Sequence, residues 1–103
     1  MKLKIIVESG INADKFETVV RNNDNVVVYQ KTWYCGYDYS HSREWSSSDK
    51  PYPTDALQSL IDKYNIKEFS VESGRNVFTG NDVDSDTVAD FKNEYCMDLK
   101  LCN

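Results

Sequence analysis

The residues best suited to chemistry are acids that alternate in one short segment near the end of the chain. Asp82, Asp84 and Asp86 stand at positions 1, 3 and 5 of what could be a calcium-binding loop. Such a loop also needs Gly at position 6 and a bidentate Glu at position 12, where this sequence has Thr87 and Asn93. Acids just before a helix also satisfy its free N–H groups and its dipole. The segment therefore favours a helix cap or a solvated surface, and we expect no metal and no other cofactor.

Catalytic side chains are few and poorly placed. His41 is the single histidine, and a histidine base needs both a nucleophile and an orienting acid. Cys35 and Ser40 are near it in sequence, but they lie in a long stretch without a helical or strand pattern, which does not fix their geometry. The cysteines lack the CxxC spacing of zinc sites, and the four glycines are isolated, so no phosphate-binding loop can form. We therefore expect that the protein is not an enzyme.

The net charge of −5 lies entirely in the second half of the chain. Residues 1–52 contain seven Lys/Arg and seven Asp/Glu, whereas residues 53–103 contain five and ten. Direct binding of nucleic acid is disfavoured, because phosphates are bound by clustered Lys and Arg. On a helix predicted over residues 85–96, Asp86, Asp90 and Glu94 recur every four residues and share one face. A face of one sign indicates a basic partner, with a solvated face as the alternative.

The sequence indicates a soluble, cytoplasmic protein. The longest apolar runs, 5–7 and 26–29, are far shorter than the roughly 20 residues of a membrane-spanning helix. The N-terminal residues do not have the pattern of a signal peptide. An odd number of cysteines is typical of reduced thiols in the cytosol, although a disulfide between Cys96 and Cys102 stays open at this point.

A second candidate site is the stretch 35–53, which is rich in Ser and aromatic residues. Loops longer than about 12–15 residues are uncommon in compact domains and are often functional. Aromatic residues beside an arginine are typical of binding hot spots and can also stack on a base. The residues concerned are Tyr37, Tyr39, Arg43 and Trp45. Three alternatives remain: packing on the sheet, a protein or self-association interface, or a ligand pocket.

The elements that must position these residues follow from the spacing of apolar residues. The predicted elements are strands 2–8, 15–21 and 26–34, helix 54–65, a hairpin over 67–79 and helix 85–96. Together they predict one α+β domain over residues 1–103, in which an N-terminal three-stranded antiparallel meander and the hairpin form an antiparallel sheet with both helices on one face. The predicted core is Leu3, Ile5, Val7, Phe16, Val20, Val27, Leu57, Leu60, Ile61, Phe69, Val71, Phe78, Val88 and Phe91.

Small size, acidity, an Asn-, Asp- and Tyr-rich composition and the lack of catalytic motifs resemble the small phage-encoded anti-defence proteins of the anti-CRISPR type. The acids that carry the resemblance are Asp82, Asp84, Asp86, Asp90, Glu94 and Asp98. The resemblance covers the last quarter of the chain and matches no motif. Many proteins of that type fill the nucleic-acid groove of a nuclease with carboxylates in place of phosphates. The resemblance therefore implies an inhibitor that acts in the host cytosol.

We expect a non-catalytic binding or inhibitor protein that docks on a basic, nucleic-acid-handling protein or nucleoprotein surface. The predicted contact residues are Asp82, Asp84, Asp86, Asp90, Glu94, Tyr37, Tyr39, Arg43 and Trp45. The alternative function is a homo-oligomeric, nucleotide-sequestering domain that uses the aromatic loop 35–53, with Arg43 or Arg75 on a phosphate.

Overall fold

A computed structural model describes the backbone of residues 1–9, 13–37, 43–44, 53–77, 79–96 and 98–103. The elements in these ranges are β1 (Lys2–Glu8), β2 (Ala13–Arg21), β3 (Val27–Tyr37), β4 (Arg43–Glu44), α1 (Pro53–Tyr64), β5 (Glu68–Ser73) and α2 (Ser85–Phe91), followed by a π-helical turn (Lys92–Cys96). The chain is therefore α+β, as predicted. The three N-terminal strands and the first helix lie within a few residues of the predicted ranges, whereas the second helix begins at the predicted residue and is α-helical only to Phe91.

Within the described ranges, the strands form one five-stranded sheet in the order β4-β3-β2-β1-β5. β1 pairs antiparallel with β2, and β2 pairs antiparallel with β3, so the predicted meander is confirmed. Leu3 lies opposite Val20 and Val7 opposite Phe16, which places the alternating apolar residues of both strands on one face. β4 adds two residues beside the end of β3.

The predicted hairpin over 67–79 is wrong, and the sheet is mixed rather than antiparallel. β5 pairs in parallel with β1, with Ile5 opposite Val71. After β5 the chain makes a turn that is closed by a bridge between Arg75 and Asp82, and Val77 lies in that turn instead of in a return strand. A parallel pair needs a crossover connection. Here α1 lies in the connection that takes the chain from the β4 edge of the sheet to the opposite edge, where β5 pairs with β1.

The buried side chains of both helices join one cluster with the apolar row of the sheet. That row consists of Leu3, Ile5, Val7, Phe16 and Val20. α1 contributes Leu57 and Ile61, and α2 contributes Phe91. The ring of Phe91 lies 4.7 Å from that of Phe16 and 5.0 Å from that of Tyr95 between centroids. Because such burial is the main favourable term in folding, this cluster holds α1 and α2 against the sheet.

Most of the predicted core is buried, with one clear error. Val27 is 39% exposed, because the pairing of β2 with β3 shifts register between Val20 and Arg21, next to the turn, and the alternation that buries Val20 does not continue. Val88 is only half-buried. Phe69 and Val71 are also half-buried and pack against the core cluster. The predicted core residue Phe78 lies outside the described residues. Buried apolar residues outside the predicted core are Val19, Trp33, Ala56, Ile66, Val83, Tyr95 and Cys96.

One polar side chain, Thr18, lies fully inside this apolar layer. Its hydroxyl donates a hydrogen bond to the carbonyl oxygen of Lys31 at 3.1 Å and accepts one from Nε1 of Trp33 at 3.2 Å. The Lys31 ammonium lies 3.9 Å from the centroid of the Trp33 ring. Because buried polar groups cost free energy unless they are paired, this hydroxyl fixes the position of the indole in the core.

Candidate functional site

The middle one of the three alternating acids, Asp84, caps α2. Asp84 has an extended backbone, and its carboxylate accepts a hydrogen bond from the backbone N–H of Thr87 at 2.7 Å. Because this bond favours the charged form, it lowers the pKa of the exposed Asp84 carboxyl. The predicted capping role of an acid at this position is confirmed, since the bond satisfies one of the free N–H groups of α2.

We expect Asp84→Ala to lower the urea midpoint and the melting temperature, because it removes the acceptor from the first turn of α2. Asp84→Asn should keep most of the stability, since Asn caps a helix about as well as Asp. The lowered pKa of Asp84 means that its ionic contribution is present at neutral pH and is lost as the pH falls through the folded-state pKa. The matched control is Asp82→Ala, at an exposed carboxyl two residues away. Equal midpoints for the Asp84 and Asp82 variants would contradict the capping role.

The other described acids of the segment lie at the surface. Asp82, Asp86, Asp90 and Asp98 are exposed, whereas Phe91 on the same helix is buried. Asp86 and Asp90 are four residues apart within α2, so they lie on one helix face. The structure thus exposes the four described acids at 82, 84, 86 and 90, and their role as contact residues stays a prediction. The name acidic surface is used below for Asp82, Asp84, Asp86 and Asp90.

The predicted helix that carries Glu94 is not α-helical over its whole length. The helix expected over 85–96 is α-helical only to Phe91, and a π-helical turn follows from Lys92 to Cys96. A π-helix bonds residues five apart, so the four-residue rule for a shared helix face does not apply in this turn. The Glu94 side chain lies outside the described residues. Sequence periodicity does not reveal this change, because the buried stripe continues through Tyr95.

The aromatic loop lies mostly outside the described residues. The backbones of Tyr37 and Arg43 are paired across β3 and β4, so the structure brings these two predicted contact positions together. Their side chains, and the whole of Tyr39 and Trp45, fall outside the described part of the chain. The choice between packing, interface and ligand pocket for loop 35–53 therefore stays a prediction.

The two described cysteines are separate thiols. Cys96 is buried and Cys102 half-buried, and neither is in a disulfide, which answers the question that their spacing had left open. Burial raises the pKa of the Cys96 thiol to about 12. This thiol is therefore protonated at neutral pH, and it belongs to the core cluster. Among the described residues, no group of three or more His, Cys, Asp or Glu side chains is placed to hold a metal ion.

The sequence missed a groove beside the acidic surface. It lies between β5 and α2, has a volume of about 490 Å³ and is lined by Val71, Glu72, Ser73, Ser85 and Val88. β5 is the last strand on its side of the sheet as described, so the groove runs along a sheet edge. The alternation of Phe69 and Val71 with polar residues predicted the strand. The position of β5 at an edge depends on its parallel pairing with β1, and no short stretch of the sequence predicts that pairing.

The face of the sheet opposite the helices carries charges of both signs. Lys2 pairs with Glu68 at 3.3 Å, Lys4 with Glu72 at 2.9 Å, and Lys15 with Glu8 at 3.6 Å. Exposed pairs of this kind contribute only about 0–1 kcal/mol each. This mixed face differs from the segment Asp82 to Asp90, which contains four acids and no Lys or Arg.

No helix in the described part of the chain is both long enough and apolar enough to cross a membrane. Comparison of the chain with models of protein families, with curated proteins and with solved structures finds no match in any of the three.

Proposed function

We propose that the protein is a non-catalytic binding protein that docks on, and blocks, a basic surface of a nucleic-acid-handling protein. The observation that carries this proposal is the exposure of four acids in α2 and the segment just before it. Asp82, Asp84, Asp86 and Asp90 are all exposed, and the sequence has no Lys or Arg between them. Like charges four residues apart on a helix repel each other weakly, and a basic surface placed against them would relieve that repulsion.

The chemistry of the proposed partner follows from the likeness between a row of carboxylates and the phosphates of a nucleic acid. Proteins that bind nucleic acids present clustered Lys and Arg to regularly spaced phosphates. Carboxylates on Asp86 and Asp90, held on one helix face, offer charges of the same sign to the same side chains. The resemblance to anti-defence proteins of the anti-CRISPR type supports a nuclease or nucleoprotein as the partner. The unpaired thiols of Cys96 and Cys102 suit a reducing cytosol as the place where binding occurs.

Charge sets the rate and the specificity of this binding more than its affinity. An exposed ion pair contributes about 0–1 kcal/mol, so the acids alone do not hold a tight complex. A surface of one sign instead steers the encounter and disfavours acidic partners. The affinity must then come from apolar contacts and backbone hydrogen bonds beside the acidic surface.

The test reverses charge on the acidic surface and measures association with a panel of purified CRISPR nucleases. We expect the double variant Asp86→Lys, Asp90→Lys to associate about tenfold more slowly with whichever nuclease of the panel the unmodified protein binds. The reason is that the two substitutions reverse the sign of the electrostatic field that steers the encounter. Raising the salt from low to physiological concentration should slow the unmodified protein as well, since charges beyond about 8–10 Å are then screened.

The matched control has the same change in net charge at two acids outside α2 and the segment before it. Asp14→Lys with Asp24→Lys alters the balanced half of the chain, where Asp24 is exposed in the turn after β2. We expect this variant to associate at nearly the rate of the unmodified protein. Equal slowing by the two pairs would assign the effect to net charge and exclude α2 from the interface. An association rate that does not depend on salt would refute electrostatic docking.

A further inference from the structure

We infer that the side of β5 facing away from β1, here called the open edge, accepts an extended segment of the partner in which basic and apolar residues alternate. This inference rests on the proposed function for the charge of the partner. It adds the contact that supplies affinity: a strand that extends the sheet at the β5 edge and fills the groove between β5 and α2.

The hydrogen bonds at the end of β5 show which backbone groups face the open edge. Gly74 donates its N–H to the carbonyl oxygen of Val7 at 2.7 Å, and Val7 lies opposite Ser73. In a parallel pair, alternate residues of a strand direct both their N–H and C=O groups to the same neighbour. The backbone groups of Phe69, Val71 and Ser73 therefore point away from β1. In the part of the chain that the structure describes, no strand lies beyond β5 in the sheet.

Both ends of the open edge are closed by other parts of the chain. Val83 donates its N–H to the carbonyl oxygen of Gly74 at 2.8 Å, and Cys102 donates to that of Ile66 at 2.9 Å. The stretch between them contains the six residues of β5, which span about 20 Å at 3.3 Å per residue. This length suits one added strand of five or six residues.

The two sides of the open edge differ in chemistry. On the helix side, the half-buried Val71 and Val88 line the groove, so the side chains that an added strand turns inwards must be apolar. On the opposite side, Glu68 and Glu72 are exposed. Each of these two glutamates contacts a β1 lysine through one carboxylate oxygen, and a carboxylate can accept from more than one donor. Basic side chains that the added strand turns outwards would lie beside Glu68 and Glu72, which border the open edge, whereas the two lysines lie one strand further away on β1.

Charge favours such a segment over a second copy of this chain. Two copies paired antiparallel through their open edges would place Glu68 of one opposite Glu72 of the other when the symmetry axis is at Ser70, but not when it is at Val71. Like charges directly opposite each other destabilise a strand pair. The acidic surface next to the groove adds more charge of the same sign on both copies. A basic partner segment meets opposite charge at all of these places.

The probe is an acetylated and amidated heptapeptide of alternating Lys and Val. A second peptide has Pro in place of the central Val, which keeps the charge and cannot pair as a strand. We expect the alternating peptide to shift the amide resonances of Phe69, Val71 and Ser73 and to protect these amides from hydrogen exchange, whereas the Pro peptide does neither. Equal shifts from both peptides, confined to the acidic surface, would overturn strand addition and leave the proposed function standing. No shift in β5 with either peptide would overturn the inference as well.

Two proline variants test the orientation of the backbone. Ser73→Pro removes an N–H that faces the open edge, so it should keep the melting temperature and weaken binding of the alternating peptide about fivefold, the equivalent of one hydrogen bond. Ser70→Pro removes an N–H that faces β1, so it should lower the melting temperature. Ser73→Ala keeps the N–H and should bind like the unmodified protein.

Equal affinity of the Ser73→Pro variant and the unmodified protein would overturn the inference. So would a concentration-dependent dimer of the unmodified protein that Ser73→Pro dissociates, because the open edge would then bind a second copy.

Discussion

Replacing Phe91 with alanine is expected to destabilise the protein by about 3–5 kcal/mol. Phe91 is 1% exposed and lies between the rings of Phe16 in β2 and Tyr95 in the π-helical turn. Truncation removes the transfer free energy of the ring and leaves a cavity where α2 meets the sheet. Domains of this size are stable by only about 5–15 kcal/mol, so the loss is a large share of the total.

The measurement is urea denaturation followed by far-ultraviolet circular dichroism. Phe91→Leu should lie between the alanine variant and the unmodified protein, because it leaves a smaller cavity. Val27→Ala is the control in the sheet, since Val27 was predicted to be buried but is 39% exposed, and it should cost less than about 1 kcal/mol. If Phe91→Ala costs no more than Val27→Ala, the packing of α2 on the sheet is wrong.

Replacing Thr18 with valine is expected to cost about 1–3 kcal/mol, although the two side chains have nearly the same shape. Thr18 is 0% exposed, and its hydroxyl holds Nε1 of Trp33 and the carbonyl oxygen of Lys31. Valine removes the acceptor of the indole N–H and the donor to the carbonyl while the partner groups stay in place. The cost is therefore the desolvation of polar groups rather than a loss of volume.

Thr18→Ser separates the two causes, because serine keeps the hydroxyl and loses only a methyl group. We expect Thr18→Ser to be more stable than Thr18→Val in the same urea titration. The opposite order would show that the methyl group of Thr18, and not its hydrogen bonds, stabilises the sheet.

The residues that stabilise the fold and those that carry the proposed binding are largely separate. Phe91 and Thr18 are buried, whereas Asp82 and Asp86 are exposed. Asp84 belongs to both groups, since it caps α2 and contributes charge to the acidic surface. Charge reversal at Asp86 and Asp90 therefore tests binding with less risk to the fold than any change at Asp84.

Local patterns in the sequence determined the strands, the helices and the cap. Alternation of Leu3, Ile5 and Val7 with more polar neighbours marks β1, because successive side chains of a strand point to opposite faces. Asp84 stands before a helical stripe, and its carboxylate caps α2 as expected. The exposure of the acids around α2 was likewise predictable, because charged side chains are rarely buried unless they are paired.

Only the tertiary structure decided which strands pair and what lies at the edge of the sheet. β5 has the alternation of a strand wherever it is placed, and the turn residues after Ser73 favoured a hairpin. Its parallel pairing with β1 joins residues more than 60 positions apart, and no short window of sequence contains that contact. The same pairing creates the open edge and the groove beside α2. The register shift that exposes Val27 and the π-helical turn after Phe91 also depend on how the chain packs. Periodicity and capping are set by neighbouring residues, whereas strand order is set by long-range contacts that repay the entropy of closing the chain between them.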